Sequence, residues 1–435
     1  MMRIIFPMVI ALLAVSVTGG AQHSTMARFI LSSTADSQLI AQRTHAPMVR
    51  KYSFTMPVIA DAEFRLRKGD YFNTLPEDMA GMRYGLRLKP RGAGETRALK
   101  SYHNAQVVFE EELTGTIFNK QVTDRYLMVI DLLERAMIVR SYKELIMLYE
   151  DRIKVMDQLK TSTDFDLNDL IKAEKELSKL TVDQMEEEQE LDVMCSEIGV
   201  VIGDSAFSGF DEADLVPVTG IKAYIDSTEF VLNGGNLRLQ YLKSRFELAE
   251  QRYRLEMAQN RKVISFFEFS YDHPNMVKEL DKKERNDKLG DTRSAFVFEM
   301  GINVPGISAD RQDIARRQIS FMKDREEYNQ LRRELQAKMK KDESDIRALI
   351  RQYEFLTARE TEVDAEASLK KYLQMSGVDP LVLLSIKENL IKNGVDKASV
   401  YYSILRNFIY ILDVTGQLSR SPLRNFLSEQ CEVIE

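Results

Sequence analysis

The stretch that decides the fold is RSAFVFEMGINVPGISADRQ, from Arg293 to Gln312. Its first half alternates, because bulky apolar residues occupy every second position from Phe296 to Val304, and the positions between them are Val297, Glu299, Gly301 and Asn303. After Pro305 and Gly306, no glycine or proline occurs before Gly377. A period of two predicts a β-strand, and a long charged run without helix breakers predicts a helix. The sequence therefore predicts one strand that leads directly into one very long, polar helix.

The composition favours long helices and does not favour nucleic-acid binding. The 435 residues carry a formal charge of −7, with 29% charged residues, ten prolines and no tryptophan. Many Glu, Lys, Arg, Leu and Met with few helix breakers are typical of extended helices. A mildly acidic balance lacks the basic surface that nucleic-acid partners require.

The first 21 residues predict a secretory signal peptide. Arg3 precedes an apolar core from Ile4 to Val17, and the small residues Gly19 and Ala21 follow at a typical cleavage position. No later segment has the ~18 consecutive apolar residues of a transmembrane helix. We therefore expect an exported protein, in which Cys195 and Cys431 are more plausible as two isolated thiols than as a disulfide.

Alternation recurs in three further runs. Together with the strand that ends at Val304, they predict two β-hairpins, at 58–90 and 263–304. One side of the four strands is apolar and the other is charged or small. The apolar side comprises Phe64, Leu66, Tyr84, Leu86, Phe267, Phe269, Phe296, Phe298, Met300 and Ile302. The opposite side comprises Glu63, Arg65, Arg67, Arg83, Arg87, Glu268, Glu299 and Asn303.

The plan of the chain repeats. Gly85 to Pro90 matches Gly301 to Pro305, and Asp169 to Leu177 matches Val382 to Leu390, both about 215 residues apart. We expect a signal peptide at 1–21 and a first structural repeat at 22–215, with a helical hairpin at 93–198. A second repeat follows at 216–418, with a helical hairpin at 307–416 and a C-terminal tail at 419–435.

Two interpretations of the strands stay open from the pattern alone. A soluble sheet with one face on a core alternates in the same way as a strand whose faces meet lipid and water. Four strands cannot cross a bilayer alone, because their edges would lack hydrogen-bond partners, so a membrane location implies several chains closing one barrel. A helix about 100 Å long with a narrow apolar stripe favours a coiled-coil array over a compact core.

The order of these segments resembles the TolC-like outer-membrane efflux channels. NGGNLRLQYLKSRFELAEQRYRLEMAQNRKVISFFEFS resembles the family's helix leading into its third strand, and FVFEMGINVPGISADRQDIARRQ resembles the fourth strand and the long helix after it. NDLIKAEKEL resembles the stretch after the first helical tip, and YSILRNFIYILDVTGQL the closing helix. The resemblance extends from about residue 33 to 418, and it rests on the order of elements and not on one short motif.

The resemblance implies a mainly α protein with a small β part. Long coiled-coil hairpins would form a tunnel, and four transmembrane strands per chain would join a trimeric barrel in the outer membrane, with the apolar side of the sheet facing lipid and the polar side facing the lumen. The channel would be the passive exit duct of a tripartite efflux or type I secretion system. A periplasmic adaptor and an inner-membrane transporter would be its partners, and no cofactor is implied.

The resemblance also assigns two tips, at 160–169 and 375–384, that would form the gate and contact the adaptor. The tip residues are Asp166, Asp169, Leu170, Ala173, Gly377, Asp379, Val382 and Ile386. Val382 and Ile386 depart from the family, which commonly has Asp and Ala there. The first helix, expected from Ser33 to Thr55, contains Pro47 and matches poorly. The connector at 199–220 and the tail would lie near a belt at mid-height.

Two other functions are compatible with parts of the sequence. A soluble periplasmic coiled-coil adaptor or scaffold would explain the helices, but adaptors usually carry one helical hairpin and this sequence predicts two. An exported hydrolase would need a catalytic or metal-ligand constellation. The four histidines are scattered, none in a His-x-x-x-His spacing, and Arg91 to Gly94 lacks the lysine of a phosphate loop, so we expect no enzyme activity.

Overall fold

The computed structural model describes ten segments of the chain. These are residues 25–52, 58–69, 80–161, 166–230, 232, 235–275, 295–303, 311–362, 379–429 and 431–434. The predicted signal peptide, the tip residue Gly377 and parts of both tips lie outside these described residues.

The N-terminal segment contains two helices where the sequence predicted one from Ser33. Helix α1 spans Thr25–Leu31, a 3₁₀ turn spans Ser32–Ala35, and α2 spans Ser37–Tyr52. The prediction was wrong about this boundary because Asp36 is extended, with φ −61° and ψ 137°, and its carboxylate accepts the Gln38 N–H at 2.9 Å. An aspartate in this conformation caps the start of a helix and interrupts the one before it.

The four strands form one antiparallel sheet in the order β1-β2-β3-β4. They are β1 Ile59–Gly69, β2 Ala80–Pro90, β3 Ile264–Asn275 and β4 Ala295–Ile302. The register aligns Phe64, Leu86, Phe269 and Phe298 in one row across the sheet. Paired residues of neighbouring strands therefore lie on the same face of the sheet, because side chains along a strand alternate between its two faces.

Five of the six described α-helices that follow the first hairpin, all except Val218–Ser227, are far longer than those of ordinary domains. The six are α3 Ala93–Gln158, α4 Leu167–Ile202, α5 Val218–Ser227, α6 Leu237–Asn260, α7 Arg311–Glu362 and α8 Pro380–Val414. Helix α3 has 66 residues, which correspond to about 100 Å at the usual rise per residue. The order helix, hairpin, long helix, helix occurs twice along the chain.

The main apolar core lies along the middle of the helices and not beneath the sheet. Val122, Tyr126 and Ile130 of α3 are fully buried, as are Tyr402 and Ile409 of α8. These residues recur at helical spacing along one stripe, which is the arrangement of packed parallel rods and not of a globular interior.

The segment after α8 is packed, although the sequence suggested a simple tail. Leu423, Leu427 and Ile434 are buried, and the Val216 N–H of the connector donates to the Leu427 carbonyl at 2.7 Å. The connector begins at Gly203, which ends α4 in a left-handed conformation with a φ of 72°. Cys195 and Cys431 are both free thiols.

Candidate functional site

The apolar face of the sheet is exposed. Phe296 and Phe64 have 88% and 74% of their surface accessible. Most other members of the predicted apolar face are exposed as well, namely Leu66, Tyr84, Leu86, Phe269, Phe298, Met300 and Ile302. Phe267 is half-buried. Soluble proteins rarely leave so contiguous an apolar surface open to solvent.

Aromatic contacts organise this face without covering it. The ring centroids of Phe269 and Phe298 lie 5.0 Å apart, and those of Tyr271 and Phe296 lie 5.1 Å apart. Such cross-strand pairs contribute about 0.5–1.5 kcal/mol each beyond burial. The pairs therefore help to fix the register of β3 and β4, while the outer surface of the rings stays accessible.

The opposite face carries charges that pair with one another. Glu63, Arg87, Glu268 and Glu299 form one row across the four strands. Arg65 lies 2.7 Å from Glu63 and 3.4 Å from Glu268. Only 3% of Glu268 is exposed. The polar face is thus more enclosed than the apolar face.

Two further ion pairs extend this network along the strands. The Arg83 guanidinium lies 3.3 Å from Glu299, and the Lys89 ammonium lies 2.5 Å from Glu63. Arg67 is exposed on the same side. Asn303 follows β4, and its backbone N–H donates to the Val263 carbonyl at 2.7 Å. The predicted polar residues therefore lie on or beside one face of the sheet.

Sequence reasoning missed Phe266, which lies on the charged face. The Arg87 guanidinium carbon is 3.5 Å from the centroid of its ring, a cation–π contact. Phe266 pairs with Gly301 in the register, and a Cβ added at Gly301 would lie 2.5 Å from Cδ1 of the ring. Gly301 is the sequence feature that could have indicated this contact, because a glycine within a strand leaves space for an aromatic ring on the neighbouring strand.

At the first tip, the predicted acids have different roles. The Asp166 carboxylate accepts the Asn168 N–H at 2.8 Å and so caps α4. Asp169 is exposed and pairs with Lys172 at 2.9 Å. An acid in the first turn also interacts favourably with the helix dipole. Leu170 and Ala173 are buried, and Ala173 packs in a cluster with Leu145, Leu148 and Tyr149 of α3.

At the second tip, Asp379 caps α8 by accepting the Leu381 N–H at 2.9 Å. Val382 is 50% exposed, whereas Ile386 is half-buried. The surface available to another protein at this end therefore includes Asp169, Asp379 and Val382, while Leu170 and Ala173 contribute to packing within the chain.

A polar cluster that the sequence did not reveal joins α3 to α8 near the tips. This tip cluster consists of Tyr149, Arg152, Ser385 and Glu388. Arg152 donates to Glu388 at 2.9 Å and to the Ser385 hydroxyl at 2.7 Å, and the Tyr149 hydroxyl donates to Glu388 at 2.9 Å. The side chains of Arg152 and Glu388 are only 15% and 13% exposed. Partial burial strengthens these charge-assisted contacts, because water screens them less.

Electrostatics of the tip cluster follow from this packing. Burial alone would raise the pKa of Glu388, but hydrogen bonds from Lys392 and Tyr149, together with nearby positive charge, hold that pKa below its usual value. Burial, followed by the hydrogen bond to Glu388, raises the pKa of Tyr149 to about 12. Glu388 is therefore ionised and Tyr149 is neutral at neutral pH.

Within the ten described segments, no group of three or more His, Cys, Asp or Glu side chains is arranged to hold a metal ion. No helix among the described residues is both long enough and apolar enough to span a membrane.

The sequence matches no protein family and no curated protein. The fold, in contrast, is similar to several solved structures. The outer membrane protein VceC from Vibrio cholerae matches with a TM-score of 0.66 and 10% identity, over 90% of this chain and 96% of that chain. The outer-membrane channel OprN matches with a TM-score of 0.65 and 13% identity, over 90% of both chains.

A third similar structure is the CmeC outer membrane channel from Campylobacter jejuni. It matches with a TM-score of 0.65 and 9% identity, over 94% of this chain and 87% of that chain. These matches extend over nearly the whole length of each protein, so they concern the entire arrangement of helices and sheet. The chain has the fold of the TolC-like outer-membrane channels, as the resemblance in its sequence predicted.

Proposed function

We propose that this protein is the outer-membrane exit duct of a tripartite efflux or type I secretion system. Three copies of the four-stranded sheet would close one barrel in the outer membrane, and the long helices would form a tunnel into the periplasm. Small molecules or polypeptides would pass through it, driven by an inner-membrane transporter that a periplasmic adaptor links to the tips.

The observation that carries the proposal is the inverted polarity of the sheet. Phe64, Phe296 and Phe298 are exposed, whereas Glu268 and Ser270 on the other face are 3% exposed. A sheet of a soluble protein buries its apolar side on a core and presents its polar side to water. Strands of a membrane barrel do the reverse, since their outer face meets lipid and their inner face lines an aqueous lumen.

The open edges of the sheet support assembly from several copies. β1 and β4 each pair with one neighbour, β2 and β3 respectively, and the opposite edge of each pairs with no strand among the described residues. An unpaired edge in hydrocarbon is costly because its N–H and C=O groups cannot bond to water. Pairing β4 of one copy with β1 of the next would satisfy both edges and close a ring.

The helical part supports a tunnel of periplasmic length. Helix α3 would extend about 100 Å, and its apolar contacts form a stripe instead of a compact interior. The duplicated order of elements would give each copy two similar hairpins around the bore. The exposed tip residues Asp169, Asp379 and Val382 are the positions that we expect to meet the adaptor, and the apolar Val382 would take part in closing the tip.

Cell fractionation combined with mass measurement tests this function. The full-length chain, expressed with its N-terminal segment, should fractionate with the outer membrane after a urea wash that strips peripheral proteins. It should require detergent for extraction and should have the mass of a trimer. A monomer that is soluble without detergent would contradict the proposal. Recovery in the soluble or inner-membrane fraction would instead favour the adaptor or scaffold alternative.

A further inference from the structure

A cavity of about 540 Å³ lies where the sheet meets the helices. One wall is formed by the end of β2 and the first turn of α3, from Pro90 to Glu95. The other wall is formed by the end of α6 and the start of β3, from Arg254 to Phe267. Its volume falls within the range of ordinary ligand pockets.

The lining of this cavity is strongly basic. Four cationic side chains, those of Arg91, Arg254, Arg261 and Lys262, surround it with a single carboxylate, Glu95. Glu95 is 7% exposed, accepts the Gly92 N–H at 3.3 Å and lies 4.0 Å from the Lys262 ammonium. The one acid is thus engaged inside the protein, and the cavity presents an excess of positive charge to any ligand.

Two of these cations are well placed to bind an anion. Arg261 is exposed, and among the described residues its guanidinium has no carboxylate or carbonyl partner. Arg254 pairs with Glu250 at 2.6 Å, yet 59% of its side chain is exposed. Guanidinium groups match the geometry of phosphate oxygens and bind them through two parallel hydrogen bonds.

The remaining wall is apolar and is continuous with the exposed face of the sheet. Ile264 and Phe267 line the cavity, and the Phe267 ring lies 6.1 Å from that of Phe298 on the apolar face. An amphiphile could therefore place its anionic group among the arginines and its hydrocarbon chains along Phe267 and the strands beyond. A free inorganic anion would use only the basic half of this surface.

We propose that the cavity binds the headgroup phosphate of an anionic membrane phospholipid, with the acyl chains lying on the apolar face of the sheet. The proposal rests on the proposed function, because it needs the sheet to lie in a bilayer. The site lies where strands become helices, which is where a leaflet of lipid headgroups would meet the protein. A bound lipid would fix the depth of the barrel in the membrane.

The test is native mass spectrometry of the full-length protein in a neutral detergent, titrated with phosphatidylglycerol. We expect one high-affinity lipid per chain. Arg261→Gln should weaken its binding about five-fold, the contribution of one cation near an anionic lipid surface. Arg261→Lys should retain part of the affinity, since it keeps the charge but loses the planar fork. The matched control is Arg252→Gln, an exposed arginine of α6 outside the cavity.

Three outcomes would overturn the lipid site. One is equal affinity in Arg261→Gln and wild type, and another is equal loss in Arg261→Gln and Arg252→Gln, which would indicate unspecific surface charge. The third is displacement of the lipid by inorganic phosphate at a comparable concentration, which would assign the cavity to free phosphate. Circular dichroism confirms that each variant is folded. A detergent-stable trimer that fails these tests refutes only the lipid site, whereas a soluble monomer refutes the channel itself.

Discussion

The tip cluster gives the sharpest prediction about the helices. Replacing Arg152 with methionine keeps most of the side-chain volume but removes two hydrogen bonds, one to the Glu388 carboxylate and one to the Ser385 hydroxyl. Glu388, whose side chain is only 13% exposed, would keep Tyr149 and Lys392 as partners. The negative charge of Glu388 is therefore still partly compensated by these two partners.

The size of the effect follows from these contacts. A hydrogen bond to a charged group contributes about 1.5–3 kcal/mol, and the retained partners of Glu388 keep the loss near the lower half of that range. We therefore expect Arg152→Met to lower the free energy of opening the start of α8 by about 2 kcal/mol, which corresponds to roughly 30-fold faster local exchange.

Hydrogen–deuterium exchange of peptides from residues 381–391, read by mass spectrometry, measures this opening. The control is Lys154→Met on the same helix, whose pair with Asp151 is 68% and 63% exposed and should contribute little. A double variant, Arg152→Met with Glu388→Gln, should cost less than the sum of the two single changes. Exchange in Arg152→Met no faster than in Lys154→Met would refute the role that we assign to the cluster.

Three further predictions follow from described contacts. Gly301→Ala places a methyl group against the Phe266 ring and should destabilise the sheet by about 1–3 kcal/mol, seen as a lower melting temperature, and Phe266→Leu should restore part of the loss. The pKa of Glu388 is lowered in the folded protein, so the stabilisation by its carboxylate is present above the pKa of the unfolded chain and is lost as pH falls through the pKa of the folded protein. Amide exchange at the start of α8, corrected for intrinsic rates, should therefore be constant from neutral pH to about pH 5 and accelerate below it. Tyr126→Phe removes a hydroxyl that donates to the Arg424 carbonyl and accepts the Phe426 N–H at 3.3 Å. The C-terminal segment should therefore become more sensitive to limited proteolysis. Unchanged cleavage would contradict a role of the Tyr126 hydroxyl in holding this segment on α3.

Strands and helices whose apolar residues recur at a regular spacing could be predicted from the sequence. The alternation around Phe298 predicted the strands and the polarity of their faces, because side chains in a strand can only point to two sides. The run after Gly306 predicted a long helix for a similar reason, since no residue in it interrupts helical hydrogen bonding. Periodic patterns therefore yielded the architecture and the faces of the sheet.

Contacts between residues that are far apart in the sequence could not be predicted from a periodic pattern. Arg152 and Glu388 are 236 positions apart, and each alone resembles a charge on a solvated helix face. Leu170 and Ala173 were predicted at a contact surface, but their burial depends on where α4 packs against the rest of the chain. The helix boundary at Asp36 and the packing of the last residues also depend on tertiary contacts, which override local preference.

The proposed channel requires that one face of the sheet meets lipid and the other meets water. Nitroxide labels at Phe298→Cys and Val297→Cys, in a chain with Cys195→Ala and Cys431→Ala, place one probe on each face of β4 in liposomes. Collision broadening of their spectra by oxygen and by a water-soluble nickel complex then reports the surroundings. We predict that oxygen broadens the spectrum more strongly at Phe298→Cys and that the nickel complex does so at Val297→Cys. Nickel dominating at both positions would contradict it.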